Sequence, residues 1–173
     1  MIDFETLGNK PDTAVLSLGA AVFTQEKIIS EKLWIFNVDG QLEAKRSVKF
    51  DTLQWWLNQN AGAKDVFRKC KDEGITIRDF VPQFLEFCQP HSGIKVWGNG
   101  ASFDVSIIEN ILDLAKVKTP WLFYNIRCYR TMKACFGIDK RERSQVTHNA
   151  LQDAKDQANC LIEYWKTNPG ACK

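Results

Sequence analysis

Hydrophobic and polar positions over the first 38 residues follow a strand pattern. Ile2 and Phe4 alternate with Asp3 and Glu5, Ala14 to Phe23 is an apolar run rich in Val, Leu and Ala, and Ile28 to Val38 sets Trp34, Phe36 and Val38 on one face. With Thr24-Gln25-Glu26-Lys27 separating the last two runs, these segments predict a three-stranded meander.

Helical spacing then takes over. A helix containing Trp55 and Trp56 is expected, with Asp51 or Thr52 as its cap. Thr76, with Asp79 three residues on, resembles a capping box ahead of Phe80, Val81, Phe84, Leu85 and Phe87. Pro82 inside that run is expected to kink the helix or cost stability. Ile94 to Trp97 reads as a short buried strand stopped by Gly98-Asn99-Gly100, and Phe103 to Leu114 returns to helical spacing, so Asp104 falls at a strand-to-helix junction. Cys128 to Phe136 is expected to be another helix and Asp139 to Ser144 a charged loop. Ala150 to Trp165 is expected to be the last helix, with Leu151, Ala154, Ala158, Leu161 and Trp165 on its buried stripe. Strands first, then helices around one further strand, fit an α/β fold in which a mixed sheet is covered by helices.

Composition narrows the class. A chain of 173 residues with 45% hydrophobic content suffices for one domain with a substantial core and is short for two. The formal charge of +2 does not mark a strongly basic nucleic-acid binder, so any basic surface must be local. The six cysteines show no C-x-x-C pair or zinc spacing and suit reduced thiols of an intracellular protein. No signal-like segment and no apolar run of transmembrane length interrupts the pattern, so no membrane partner is expected and the cytoplasm is the default.

The candidate chemistry is carboxylate chemistry. Asp3 and Glu5, one residue apart on a strand, point the same way while Ile2 and Phe4 point into the core. Two like charges side by side repel, and a hard divalent cation such as Mg²⁺ or Mn²⁺ would relieve them; an isolated D-x-E is more often a solvated strand end. Asp104 and Asp153 recur in apolar surroundings, where a carboxylate is costly unless paired or metal-bound. His148 lies five residues before Asp153, on the loop or first turn entering the last helix. It is one of two histidines, and His91 reads as an ordinary surface residue.

Asp3-Phe4-Glu5-Thr6, Gly98-Asn99-Gly100-Ala101-Ser102-Phe103-Asp104 and His148-Asn149-Ala150-Leu151-Gln152-Asp153-Ala154 occur in that order over nearly the whole chain. Together they resemble the three motifs of the DEDDh family of 3′-to-5′ exonucleases, and the Trp-Trp helix after the strands resembles its phage and bacterial branch. The resemblance implies a ribonuclease H-like fold with a mixed five-stranded sheet flanked by helices, and one exonuclease domain over residues 1–173. It implies two divalent cations, Mg²⁺ or Mn²⁺, with Asp3 bridging them, Glu5 and Asp153 on the water-activating side and Asp104 on the other. His148 would be the general base, an imidazole being suited to proton transfer near neutral pH. The implied substrate is the 3′ end of single-stranded DNA or RNA, DNA being slightly favoured by the phage-like likeness. An exoribonuclease acting on RNA tails and a catalytically inactive nucleic-acid-binding module of the same fold are the alternatives.

Thr6 and Leu7 would lie beside the terminal nucleotide, Leu7 wedging against its base, and Phe103 would stack on or support that nucleotide. Of the adjacent pair Trp55 and Trp56, about 100° apart around a helix, one can be core while the other lines the cleft. Arg141, with Lys140 and Arg143, is a candidate for holding backbone phosphates. Relatives in this branch allow a homodimer. Only two residues precede Asp3, so the first strand is either short or continues from a natural start further upstream.

Overall fold

The alternation around Asp3 builds the centre of the sheet. In a computed structural model, which describes residues 1–59, 61–138 and 148–170, β1 (Ile2–Thr6) pairs antiparallel with β2 (Val15–Phe23), which pairs antiparallel with β3 (Ile28–Ile35). On its other side β1 runs parallel to β4 (Val96–Gly98), and β4 runs parallel to β5 (Ile126–Cys128). The resulting five-stranded mixed sheet has the order β3-β2-β1-β4-β5. Helices α1 (Asp39–Glu43), α2 (Phe50–Leu57), α3 (Ala61–Asp72) and α4 (Ile77–Cys88) separate β3 from β4. A π turn (Ala101–Val105) opens directly into α5 (Ser106–Leu114), and α6 (Tyr129–Phe136) and α7 (Ala150–Thr167) complete the chain order. This is a ribonuclease H-like α/β architecture.

The two faces of β1 feed different layers. Ile2 and Phe4 join a buried cluster with Trp34, Phe80, Phe84 and Ile108, which α4 and α5 close. The opposite face lies beside α7, whose Ala154, Ala158, Leu161 and Trp165 pack with Trp97 and Tyr129. Small residues on α7 let it approach closely, and β2 matches them with Gly19 opposite Asp3. A methyl group on Gly19 would collide with the Ala150 carbonyl, so the start of α7 can sit on the sheet only because this position has no side chain. The long helix is thereby anchored beside the carboxylates.

Most predicted elements are present. The meander forms, although β3 ends at Ile35; Phe36 still donates its N–H to the Leu16 carbonyl at 2.9 Å and forms an isolated bridge to Ile75. The Thr76 cap is present: its Oγ1 accepts from the Asp79 N–H at 3.1 Å and donates to Asp79 Oδ2 at 2.7 Å. Pro82 lies inside α4 on an exposed position, where the backbone carbonyl it leaves unpaired can meet water. Two expectations are corrected. Lys49, not Asp51 or Thr52, caps α2, and no side chain bonds there. Cys128 ends a strand instead of starting a helix, because Ile126–Cys128 pairs with β4 before α6 begins. The five cysteines among the described residues are free thiols. Among those residues no helix is long and apolar enough to cross a membrane.

Candidate active site

Three elements deliver carboxylates to one place. Asp3 and Glu5 stand on the α7 side of β1, and Asp153 sits in the first turn of α7, so that one ligand oxygen from each lies within 4.8 Å of the others. Asp104 arrives from the π turn after β4, whose extra residue per turn widens the backbone where strand becomes helix. Its Oδ1 accepts from the Phe4 N–H at 3.1 Å and its Oδ2 from the Gly100 N–H at 3.3 Å. Gly98 leaves room for it, since a methyl group there would come within 2.9 Å of the Asp104 Cβ. All four carboxylates and His148 line one cleft of about 300 Å³.

The site is electrostatically unfavourable by itself. Burial, and then the charges of Asp104, Glu5 and Asp153, hold the Asp3 carboxyl well above the usual carboxylate range, opposed by a hydrogen bond from Gln157. Glu5 is pushed up to about 8 by burial and by the charges of Asp153 and Asp104. Asp104 is raised to about 6 by burial, with backbone N–H donors including those of Phe4 and Gly100 pulling it back. Like charges this close cannot all ionise at neutral pH without a compensating cation. An all-oxygen, anionic, convergent donor set is what hard divalent cations bind, so these residues fit metal binding.

His148 reaches the cleft through an uncommon backbone. Its φ of 66° places it in the left-handed region, which histidine enters more readily than most residues. The next residue, Asn149, caps α7 by accepting from the Gln152 N–H at 3.1 Å. The imidazole packs edge-to-face against Trp55, with ring centroids 4.7 Å apart and planes at 88°, and lies 6.0 Å from the Trp56 ring. Trp56 is core, 1% exposed, and its Nε1–H donates to the Thr6 carbonyl at 2.9 Å. Thus α2 is tied to the end of β1 by one tryptophan and touches His148 with the other.

Other expected contacts divide. Phe103 lines the cleft, and Trp55 borders it through His148. Thr6 and Leu7 do not reach it: Thr6 is buried and donates to the Gly8 carbonyl at 2.7 Å, and Leu7 packs with Leu16 and Trp56. Leu7 leaves the carboxylate face because the β1–β2 register shifts between Glu5 and Thr6, so the alternation that aligns Asp3 with Glu5 does not continue to Leu7. Arg141, Lys140 and Arg143 lie outside the described residues. Sequence reasoning missed Gln157, which donates to Asp3 Oδ1 at 2.7 Å, and the cleft-lining Arg130 and Lys133 of α6. Position was the available signal: Gln157 is one helical turn beyond Asp153, and Arg130 and Lys133 share a ridge of α6. A second cavity of about 490 Å³, lined by Phe23, Phe87, Trp97 and Trp121 among others, has no carboxylate among its described lining residues.

A ribonuclease H-like sheet carrying clustered acidic residues and a histidine at one cleft defines a nuclease of the DEDDh type. The model of the 3'-5' exoribonuclease Rv2179c-like domain matches residues 1–165, and the chain belongs to that family. It is also similar to an exodeoxyribonuclease of Enterobacteria phage T4, with 28% identity over 158 residues, 76% of this chain and 68% of that protein. The chain is accordingly a 3′-5′ exonuclease whose substrate is nucleic acid.

Proposed function

We propose that residues 1–173 form a single exonuclease domain that removes nucleoside monophosphates from the 3′ end of single-stranded DNA, working in a reducing compartment such as the cytoplasm. The observation that carries this reading is the convergence of Asp3, Glu5, Asp104, Asp153 and His148 on one cleft. The four carboxylates would hold two divalent cations, Mg²⁺ or Mn²⁺. When bound, such ions supply a nucleophile at neutral pH and stabilise charge on the leaving oxygen.

The chain's own residues do the rest. His148 takes one proton from the water whose oxygen bonds to phosphorus; as that bond forms the P–O3′ bond breaks, and the departing O3′ takes up a proton from solvent, the base contributing about 10²–10⁴-fold when well placed. Trp55 packs against the imidazole and limits its rotation. Asp104, fixed by two backbone N–H groups, keeps its orientation as substrate enters. Phe103 offers an aromatic surface for the terminal base, and such stacking tolerates any sequence.

Single-stranded RNA is the second reading, favoured by the exoribonuclease description of the family. Both are tested with matched DNA and RNA strands labelled at either end and incubated with Mg²⁺ or Mn²⁺. Early release of labelled mononucleotide from the 3′-labelled strand, with stepwise shortening of the 5′-labelled one, is expected. Release of no mononucleotide from any strand would overturn the proposal, and the ratio of DNA to RNA rates assigns the sugar.

A further inference from the structure

Gln157 has an unusual combination of surroundings. Its side chain is 8% exposed on α7, one turn beyond Asp153, and lines the cleft. The Nε2–H donates to Asp3 Oδ1 at 2.7 Å, whereas Oε1 is buried with no hydrogen-bond partner among the described residues. With Asp3 ionised, as a metal ligand must be, turning the amide over would set its carbonyl against the carboxylate, so the bond to Asp3 fixes the orientation and leaves Oε1 unpaired. A residue present only for packing gains nothing from this, because an apolar side chain of similar volume fills the space without an unpaired buried carbonyl.

We propose that Gln157 is a positioning residue for Asp3: its amide N–H fixes the rotation of the carboxylate so that the lone pairs facing the cleft are aimed for a divalent cation. It donates and cannot itself replace a carboxylate charge. The carboxylate then needs no reorientation when the ion arrives, which is how partners behind a metal ligand raise affinity. The inference rests on the proposed assignment of Asp3 as a metal ligand.

The test is Gln157→Met, which keeps length and volume but removes both donor and acceptor. Mn²⁺ affinity is measured by electron paramagnetic resonance, and metal-free Tm by calorimetry. A loss of Mn²⁺ affinity of about tenfold or more is expected, in line with ligand-supporting partners elsewhere. Metal-free Tm is expected to be equal to or above that of the wild type, because the unpaired carbonyl is gone. A merely structural role gives the opposite result, a lower Tm with unchanged affinity, and overturns the proposal. Should Gln157→Met fold poorly, Gln157→Leu is measured in the same way, and wild-type affinity in that variant also overturns it. If the wild type itself binds no Mn²⁺, the assignment of Asp3 fails; if it binds and only the variant's affinity is unchanged, the role of Gln157 alone fails.

Discussion

The two faces of β1 carry opposite chemistry. On one, Ile2 and Phe4 enter a core in which Trp34 meets Phe80 and Phe84 at 5.4 and 5.9 Å, a layer whose burial stabilises the fold. On the other, Asp3 and Glu5 face Asp153 and share a cleft with Asp104, and burial there raises the energy of Asp3, Glu5 and Asp104 when ionised. Strand alternation places both sets within five residues, so the apolar face holds rigid a strand whose other face is destabilising until cations arrive.

Breaking the apolar face gives the largest effect on folding. Phe80→Ala, in the fully buried Trp34–Phe36–Phe84 group, is expected to lower unfolding free energy by about 3–5 kcal/mol while Mn²⁺ affinity of the folded fraction is retained. Denaturant melts beside metal titrations check this, and equal losses in both would mean that the faces are not separable.

Loosening the other side should do the reverse. Trp55 is 41% exposed, so Trp55→Ala is expected to leave Tm nearly unchanged and to cost up to about 100-fold in turnover through misplacement of His148. Trp55→Phe is expected to recover part of that loss, read from steady-state rates on labelled strands.

The smallest effect sharpens the comparison through pH. Glu5 moves from its usual 4.5 up to about 8 and Asp104 from 3.8 to about 6, so the folded form binds protons more tightly than the unfolded one. Their contribution is therefore full below about pH 4 and is lost as pH rises through 8, and metal-free Tm should fall across that window. Saturating Mg²⁺ should flatten the decline, and a metal-free Tm that rises with pH would contradict the electrostatics of the cleft.

The parts that sequence reasoning recovered are those where a local period or residue type carries the information. The β1 alternation, the Thr76 cap and the buried stripe of α7 from Ala154 to Trp165, which Leu151 joins only half-buried, are such cases, as is the meeting of Asp3, Glu5, Asp104, His148 and Asp153 at the cleft. What escaped depends on distant partners or very short segments. β5 is three residues long and exists by pairing with β4, and α3 is largely polar, with Val66, Phe67 and Cys70 as its packed side. The spacing of Gln157 from Asp153 places it near the site, but its hydrogen bond to Asp3, 154 positions away, is a long-range contact that spacing does not report. Leu7, placed beside the cleft by the resemblance, packs instead with Leu16 and Trp56, because the register shift after Glu5 ends the alternation that aligns Asp3 with Glu5.

The carboxylate face can be tested directly by counting ions. Titration of the metal-free protein with Mn²⁺, alongside Asp3→Asn, should give two bound ions per chain in the wild type and their loss in the variant. One ion or none in the wild type, or unchanged binding in Asp3→Asn, would contradict the two-ion site centred on Asp3.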